Sequence, residues 1–389
     1  MKMSRRFQVV AAIAAFTVVS FVASAQPVAK TLPDAEAAEG WLKLFDGQSL
    51  FGWTVLGDAQ WSVQDGVLVC DSGSGGWLAT TSRFGDFELT AKVRAAADGA
   101  FGLSVRGNLD SHPSENGAVV IPIAPGGAAD GWRTVRVVAE GPGATITVDG
   151  AETKAEARRP TGHVGILYYR QGKVEVAELK LRPLNMKPLF NGKDLTGWNI
   201  IPEHKSQFSV VDGALNIKDG NGQIETAETF KDFVLQLDIF SNGEHLNSGV
   251  FYRGPVGVFW KGYESQVRNQ WEGDDRTKPE DYGTGGNYGN QPAREVVSSD
   301  KEWFHKTIVC SGNHAAVWIN GYLVSDYLDM RPVSDDANGK RGYVPGPGTI
   351  HLQGHDPTTD LSFKNIRIQV YPERRAGGSR PVAAQPQQQ

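Results

Sequence analysis

The sequence predicts an all-β protein built from two tandem β-sandwich (jelly-roll) domains. Three observations predict it. A set of sequence blocks returns once in the same order, short alternating segments end in Asp-Gly or Asn-Gly turns, and no amphipathic helical pattern of about ten residues appears after the N-terminal stretch.

The repeat carries most of this inference. Leu44-Phe45-Asp46-Gly47, continuing to Gly52-Trp53, returns as Leu189-Phe190-Asn191-Gly192, continuing to Gly197-Trp198. Trp61–Gly66 is answered by Phe208–Gly213, and Gly85–Leu89 by Lys231–Leu235. Ser104–Gly107 is answered by Phe251–Gly254, and Ile146–Gly150 by Val317–Gly321. Ordered matches of this kind indicate duplication, and the period is too long for a solenoid. The copies are expected at 40–184 and 188–372, with the joint in the Pro-flanked stretch from Pro183 to Pro188.

Within a copy the local signals are those of strands. Val234, Leu235, Leu237 and Ile239 nearly alternate through Phe233 to Phe240, and Lys364 to Val370 alternates as a closing strand. Ala315 to Ile319 runs into Asn320-Gly321, a pair suited to a tight hairpin turn with positive φ. Asp65-Gly66, Asp149-Gly150 and Asp212-Gly213 repeat the device.

The ends and the composition set bounds. Lys2, Arg5 and Arg6 precede an apolar stretch from about Val9 to Ala23 and a small-x-small site at Ala23-Ser24-Ala25, so residues 1–25 read as a signal peptide. The stretch is shorter than a membrane span, which predicts an exported, periplasmic or secreted chain with no membrane insertion after cleavage. Residues 373–389 lack apolar periodicity and are expected to be disordered. A net charge of -5 offers no basic field for nucleic acid. With Gly 46 and Trp 10, the composition suits a turn-rich β protein that handles sugars, whose apolar faces stack on aromatic rings. Cys70 and Cys310 fall in apolar strands of different copies and read as two separate buried thiols.

The blocks resemble the family of exported bacterial 3-keto-disaccharide hydrolases. The shared opening and the Asp-Gly and Asp-Phe turns carry the resemblance in both copies. In the second, Asn247–Gly254, Gly262-Tyr263-Glu264-x-Gln266, Tyr288-Gly289, Trp303, Asn320-Gly321 and Leu352-Gln353-Gly354-His355 extend it over nearly all of Leu189 to Tyr371. The resemblance implies a concanavalin-like sandwich whose concave face receives the sugar.

The polar blocks of the second copy supply the candidate site. Strand alternation puts Glu264 and Gln266 on one face. A solvated face would look the same, but the first copy has only the Pro/Ala/Gly-rich VIPIAPGGAADG there and is expected to lack the strand. Glu264 is the candidate base or metal ligand. His355 follows Gln353 at a strand end, where the first copy reads Ile166-Leu167-Tyr168-Tyr169, and is a second catalytic or metal-binding candidate, with a structural turn as the alternative. His351 is a weaker one. Arg253 could polarise an enolate oxygen, although its recurrence as Arg106 suits a structural role equally. Gln266, Gln353, Asn247, Tyr288 and Trp260 are candidate sugar-binding residues, simple packing being the alternative for the two aromatics. Glu244 and His245 read better as an exposed turn than as ligands. The polar Trp271–Arg294 insert reads as functional or disordered, and its Asp274 and Asp275 are too little for a calcium loop.

Two functions follow. One is an elimination–hydration hydrolase of 3-keto-disaccharides or other oxidised glycosides, needing one base and one electrophile, either a divalent metal ion or an Arg. The other is a non-catalytic carbohydrate-binding, lectin-like module.

Overall fold

The computed structural model describes residues 30–97, 99, 101–128, 130–169, 172–202 and 204–372. The signal-peptide stretch and the 373–389 tail lie outside the described residues. Each copy forms two antiparallel sheets packed face to face, one of eight strands and one of five. The described helices are only Asp34–Ala38 and the single turn Glu280–Tyr282, and none is long and apolar enough to cross a membrane.

In the second copy the eight-stranded sheet runs Gln207–Val211, Ala214–Lys218, Asp360–Val370, Phe233–Ser241, Trp303–Ser311, His314–Ile319 and Tyr322–Leu328, with Lys187–Pro188 added on Asp360–Val370. The five-stranded sheet runs Trp198–Ile200, Gly222–Thr226, Thr349–Gly354, Ser248–Gly254 and Tyr263–Val267. The hairpins close where the sequence placed them. Asp212-Gly213 and Asn320-Gly321 have φ of 49° and 79°, and 49° and 75°, as a two-residue turn between right-twisted strands requires.

Alternation sorts the five-stranded sheet into two faces. Ile224, Val250, Tyr252, Tyr263, Val267, Ile350 and Leu352 are buried in the sandwich core. The opposite face carries two polar rows. Glu264 pairs with Phe251, which pairs with His351, which pairs with Glu225. Gln266 pairs with Gly249, and Gln353 with Gln223. Polar residues repeated across neighbouring strands on the non-core face mark a built surface rather than an accident of one strand.

The first copy does contain the strand it was expected to lack. Val119–Ile123 pairs with Phe101–Gly107 just as Tyr263–Val267 pairs with Ser248–Gly254. The Pro in this segment was compatible with an edge strand, which need not donate on its free side. Val120 and Pro122 stand where the second copy has Glu264 and Gln266, so the scaffold is shared and the polar side chains are not. Trp77, Ala79 and Leu167 make the corresponding face of the first copy apolar.

The copies pack on each other through the outer face of the second copy's large sheet. Trp318 lies 6.3 Å from Phe84 and donates through Nε1 to Lys43 O at 3.0 Å. Gln236 Nε2 donates to Gly40 O at 2.9 Å, and Tyr371 OH to Arg83 O at 2.7 Å. The first copy therefore covers the large sheet and leaves the polar face of the five-stranded sheet clear. Cys70 and Cys310 are separate buried thiols.

Candidate active site

Glu264 is the centre of the polar face. It is 3 % exposed, and burial raises its pKa above the usual carboxylate value against the opposing pull of Lys340. Gly249 makes room for it. A Cβ on Gly249 would come within 2.5 Å of Glu264 Oε1, so any side chain at 249 would displace the carboxylate from where it lies. Lys340 Nζ stands 3.2 Å from Oε2. The same ammonium sits over the rings of Tyr288, at 3.9 Å, and Trp260, at 4.7 Å. Lys340 is held from behind by a chain that starts on the strand carrying Glu264. Tyr263 OH donates to Asp329 Oδ2 at 2.7 Å, Arg331 binds Asp329, and Arg331 Nη1 donates to Lys340 O at 3.0 Å.

The Trp271–Arg294 insert is ordered and closes the free edge of the strand. Gln266 N donates to Gly286 O at 2.8 Å and Tyr288 N to Glu264 O at 2.9 Å, which places Tyr288 beside the carboxylate. The turn at Glu280–Tyr282 brings in Asp281, in the left-handed region with φ 48°. Gln266 Nε2 donates to Asp281 O and Oδ2 at 3.0 and 2.9 Å, and Asn247 Nδ2 to Oδ2 at 2.8 Å. Gln266 and Asn247 thus fix a second carboxylate. Burial raises the Tyr288 pKa, with Asp281 and Glu264 adding to the shift.

Several buried polar atoms on this face have no partner within the protein: Glu264 Oε2 (beyond its ion pair with Lys340), Gln353 Oε1, Asn247 Oδ1 and Gln223 Nε2. Such atoms are costly unless a ligand or water satisfies them. A mixture of acceptors and a donor on one face matches the hydroxyls of a sugar. His355 lies one alternation beyond Gln353, with Nδ1 2.9 Å from Asp356 Oδ2. His351 is instead fully buried, held by Gln223 and Thr349, and burial pushes its pKa down to about 4. With Glu225 it belongs to the support of the Pro255–Lys261 turn, where Gly257 N donates to Glu225 and Trp260 N to Gln223 Oε1.

Arg253 is placed away from this group. Its guanidinium donates to Lys231 O, Val344 O and Asp232 Oδ1, each at 2.9 Å. Arg106 repeats the arrangement on Gly85 O, Gly141 O and Asp86, and both arginines have positive φ, 55° and 60°. A left-handed residue at a strand irregularity turns the side chain to the loops beneath the sandwich, so Arg253 ties the fold together and does not polarise a substrate. Glu244 pairs with Lys301 in an exposed turn.

Glu264 and His355 do not offer a divalent ion a suitable donor set. Glu264 Oε2 already faces the Lys340 ammonium, which would repel a second cation. No three His, Cys, Asp or Glu side chains converge among the described residues. Sequence reasoning missed Lys340 and Asp281. Both come from segments that the second copy has and the first lacks, and this difference was the available signal. Two surface clefts lie elsewhere: one of about 550 Å³ beside His112 and Tyr169, and one of about 340 Å³ beside Phe240 and Trp303. Around the Glu264 group, Trp260 is exposed and Tyr288 and Lys340 are half-buried.

The family comparison agrees with the duplication. Two solved structures from Parabacteroides distasonis, each described as a proposed glycosyl hydrolase, match with 26 % and 22 % identity. They cover 48 % of this chain and 100 % and 94 % of their own, at TM-scores of 0.39 and 0.38. A carbohydrate-binding module, CBM66 from Bacillus subtilis, matches at 16 % identity, with 47 % of this chain and 95 % of its own covered, at a TM-score of 0.33. No curated protein matches the chain. The family model described as 3-keto-alpha-glucoside-1,2-lyase-like domain matches twice, over residues 40–167 and 185–369. The chain therefore belongs to the 3-keto-alpha-glucoside-1,2-lyase-like family, as two tandem copies of its domain.

Proposed function

We propose that the second domain cleaves the glycosidic bond of 3-keto-glycosides by elimination followed by hydration. The observation that carries this reading is a buried carboxylate, Glu264, with an ammonium at 3.2 Å on a face of unpartnered polar atoms. A 3-keto group acidifies the C2 proton. Glu264 takes that proton, and the electron pair moves toward the C3 oxygen as an enolate. Lys340, 3.2 Å from the Glu264 carboxylate, supplies the charge that stabilises that oxygen. The pair then returns to form the C1–C2 double bond as the C1–O bond breaks, and the departing oxygen gains a proton from the solvent-facing His355 or from water. Water adds across the double bond, its oxygen to C1 and a proton to C2, giving the 3-keto sugar and the freed alcohol.

This chemistry needs one base rather than the opposed carboxylate pair of ordinary glycosidases. Asp281 is held by Gln266 and Asn247 and orients Tyr288, so its role is to shape the site. Gln353 and Asn247 receive sugar hydroxyls, and Trp260 and Tyr288 flank the ring. The donor set described above gives no metal-dependent step.

The test is incubation of the purified protein with 3-keto-trehalose or a 3-keto-glucoside, reading out released sugar. Cleavage of the keto-sugar but not of the parent glycoside supports the reading. Saturable binding of unmodified glycans without cleavage would favour the lectin-like alternative.

A further inference from the structure

We propose that Lys306 is a positioning residue, which reaches through the sandwich core to hold the strand that carries Glu264. Lys306 lies on Trp303–Ser311 in the eight-stranded sheet and is 1 % exposed. Its neighbours in register, Leu237 and Ile319, are core residues, so the side chain points inward. Nζ crosses to the other sheet and donates to Ser265 O and Ser265 Oγ, each at 3.1 Å, and to Gln266 O at 2.8 Å. These two residues follow Glu264 directly.

The first copy provides the control. Val135 pairs with Ala91 and Val148 as Lys306 pairs with Leu237 and Ile319, so Val135 holds the same place. Ile121 pairs with Leu103 as Ser265 pairs with Val250, so Ile121 stands for Ser265. The copy without Glu264 thus fills this position with two apolar side chains, each no more than 3 % exposed. The fold does not need the lysine. A buried ammonium carries a desolvation cost that an apolar pair avoids, and burial pushes the Lys306 pKa down to about 7. The lysine and its serine occur together with the Glu264 strand, on an edge strand with a neighbour in its own sheet on one side only. Three hydrogen bonds from behind fix the height and twist of that strand, and with them the carboxylate over Gly249.

This inference rests on Glu264 as the reacting group. Its test compares the wild type with Lys306→Met and with the double variant Lys306→Val/Ser265→Ile, which copies the first domain's apolar pair and keeps the test open should Lys306→Met fail to fold. Turnover of a 3-keto-glucoside is expected to fall about 10²-fold in kcat with KM within about threefold, because the reacting group is misplaced while the groups that hold the sugar keep their positions. Amide exchange over Tyr263–Val267 is expected to speed up about tenfold in Lys306→Met, with Phe233–Ser241 unchanged. A folded variant with wild-type kcat would overturn the proposal. Should the wild type itself cleave no keto-sugar, the functional reading fails separately, and exchange decides: unchanged protection of Tyr263–Val267 overturns the positioning role, and faster exchange supports it.

Discussion

Replacing Glu264 by Gln removes one proton-accepting site and almost no volume. General-base catalysis contributes typically 10²–10⁴-fold, so kcat should fall by that factor, about 3–5 kcal/mol in barrier. Stability should move in the opposite direction or hardly at all. Burial raises the Glu264 pKa, so between the unfolded value and the raised folded value the native state binds more protons, and stability falls as pH rises through that window. Above it the ionised carboxylate carries a desolvation cost that Gln avoids. Against this, Gln loses the ion pair with Lys340, whose side chain is 23 % exposed and can regain water. The two terms offset to within about 1 kcal/mol, or about 2–4 °C in Tm for a domain of this size. The assay is initial-rate cleavage of a 3-keto-glucoside beside a thermal melt at neutral pH. A Glu264→Gln protein that melts normally and keeps more than a tenth of wild-type kcat would refute the assignment of the base.

Other consequences are as specific. The wild-type rate should rise with pH through a pKa above the ordinary carboxylate value of 4.5, because burial holds Glu264 protonated longer, and an acid limb at or below 4.5 would contradict this. Lys340→Met should lower kcat about 10–10²-fold with little change in Tm, checked by the same pair of assays. Arg253→Ala should cost about 3 kcal/mol, seen as a lowered Tm, because the buried guanidinium and its bonds to Lys231 O, Val344 O and Asp232 Oδ1 are lost together, while turnover per folded molecule stays near wild type. A chelator should leave turnover unchanged, since in the proposed reaction the charge near the C3 oxygen comes from Lys340; loss of turnover restored by a divalent ion would show that the cation role lies elsewhere.

Much of this architecture was legible because it is local. Asp-Gly and Asn-Gly dictate their own backbone, and alternation assigned Glu264 and Gln266 to one face without any knowledge of the partner strand. The strand Val119–Ile123 was misjudged because Pro122 and the following glycines resemble a loop, whereas an edge strand tolerates both. For Arg253 the sequence left a polarising and a structural role equally open, its recurrence as Arg106 being the signal for the second. Its positive φ, which turns the side chain toward the loops, depends on the register shift against Thr349–Gly354 and has no sequence signature beyond the following glycine. Lys340 and Asp281 escaped notice for a different reason. They reach the site through long-range contacts from loops, where spacing carries no period to read.

The most direct test of the central claim is cleavage of a 3-keto-glucoside in D₂O, with the isotope content of the released 3-keto sugar followed by NMR against a control of that sugar incubated without enzyme. Elimination and hydration predict one solvent deuterium at C2, delivered as the bond is cleaved. Cleavage that leaves the original hydrogen at C2 would contradict the account, because it would place the chemistry at C1 alone and leave Glu264 without its proposed proton.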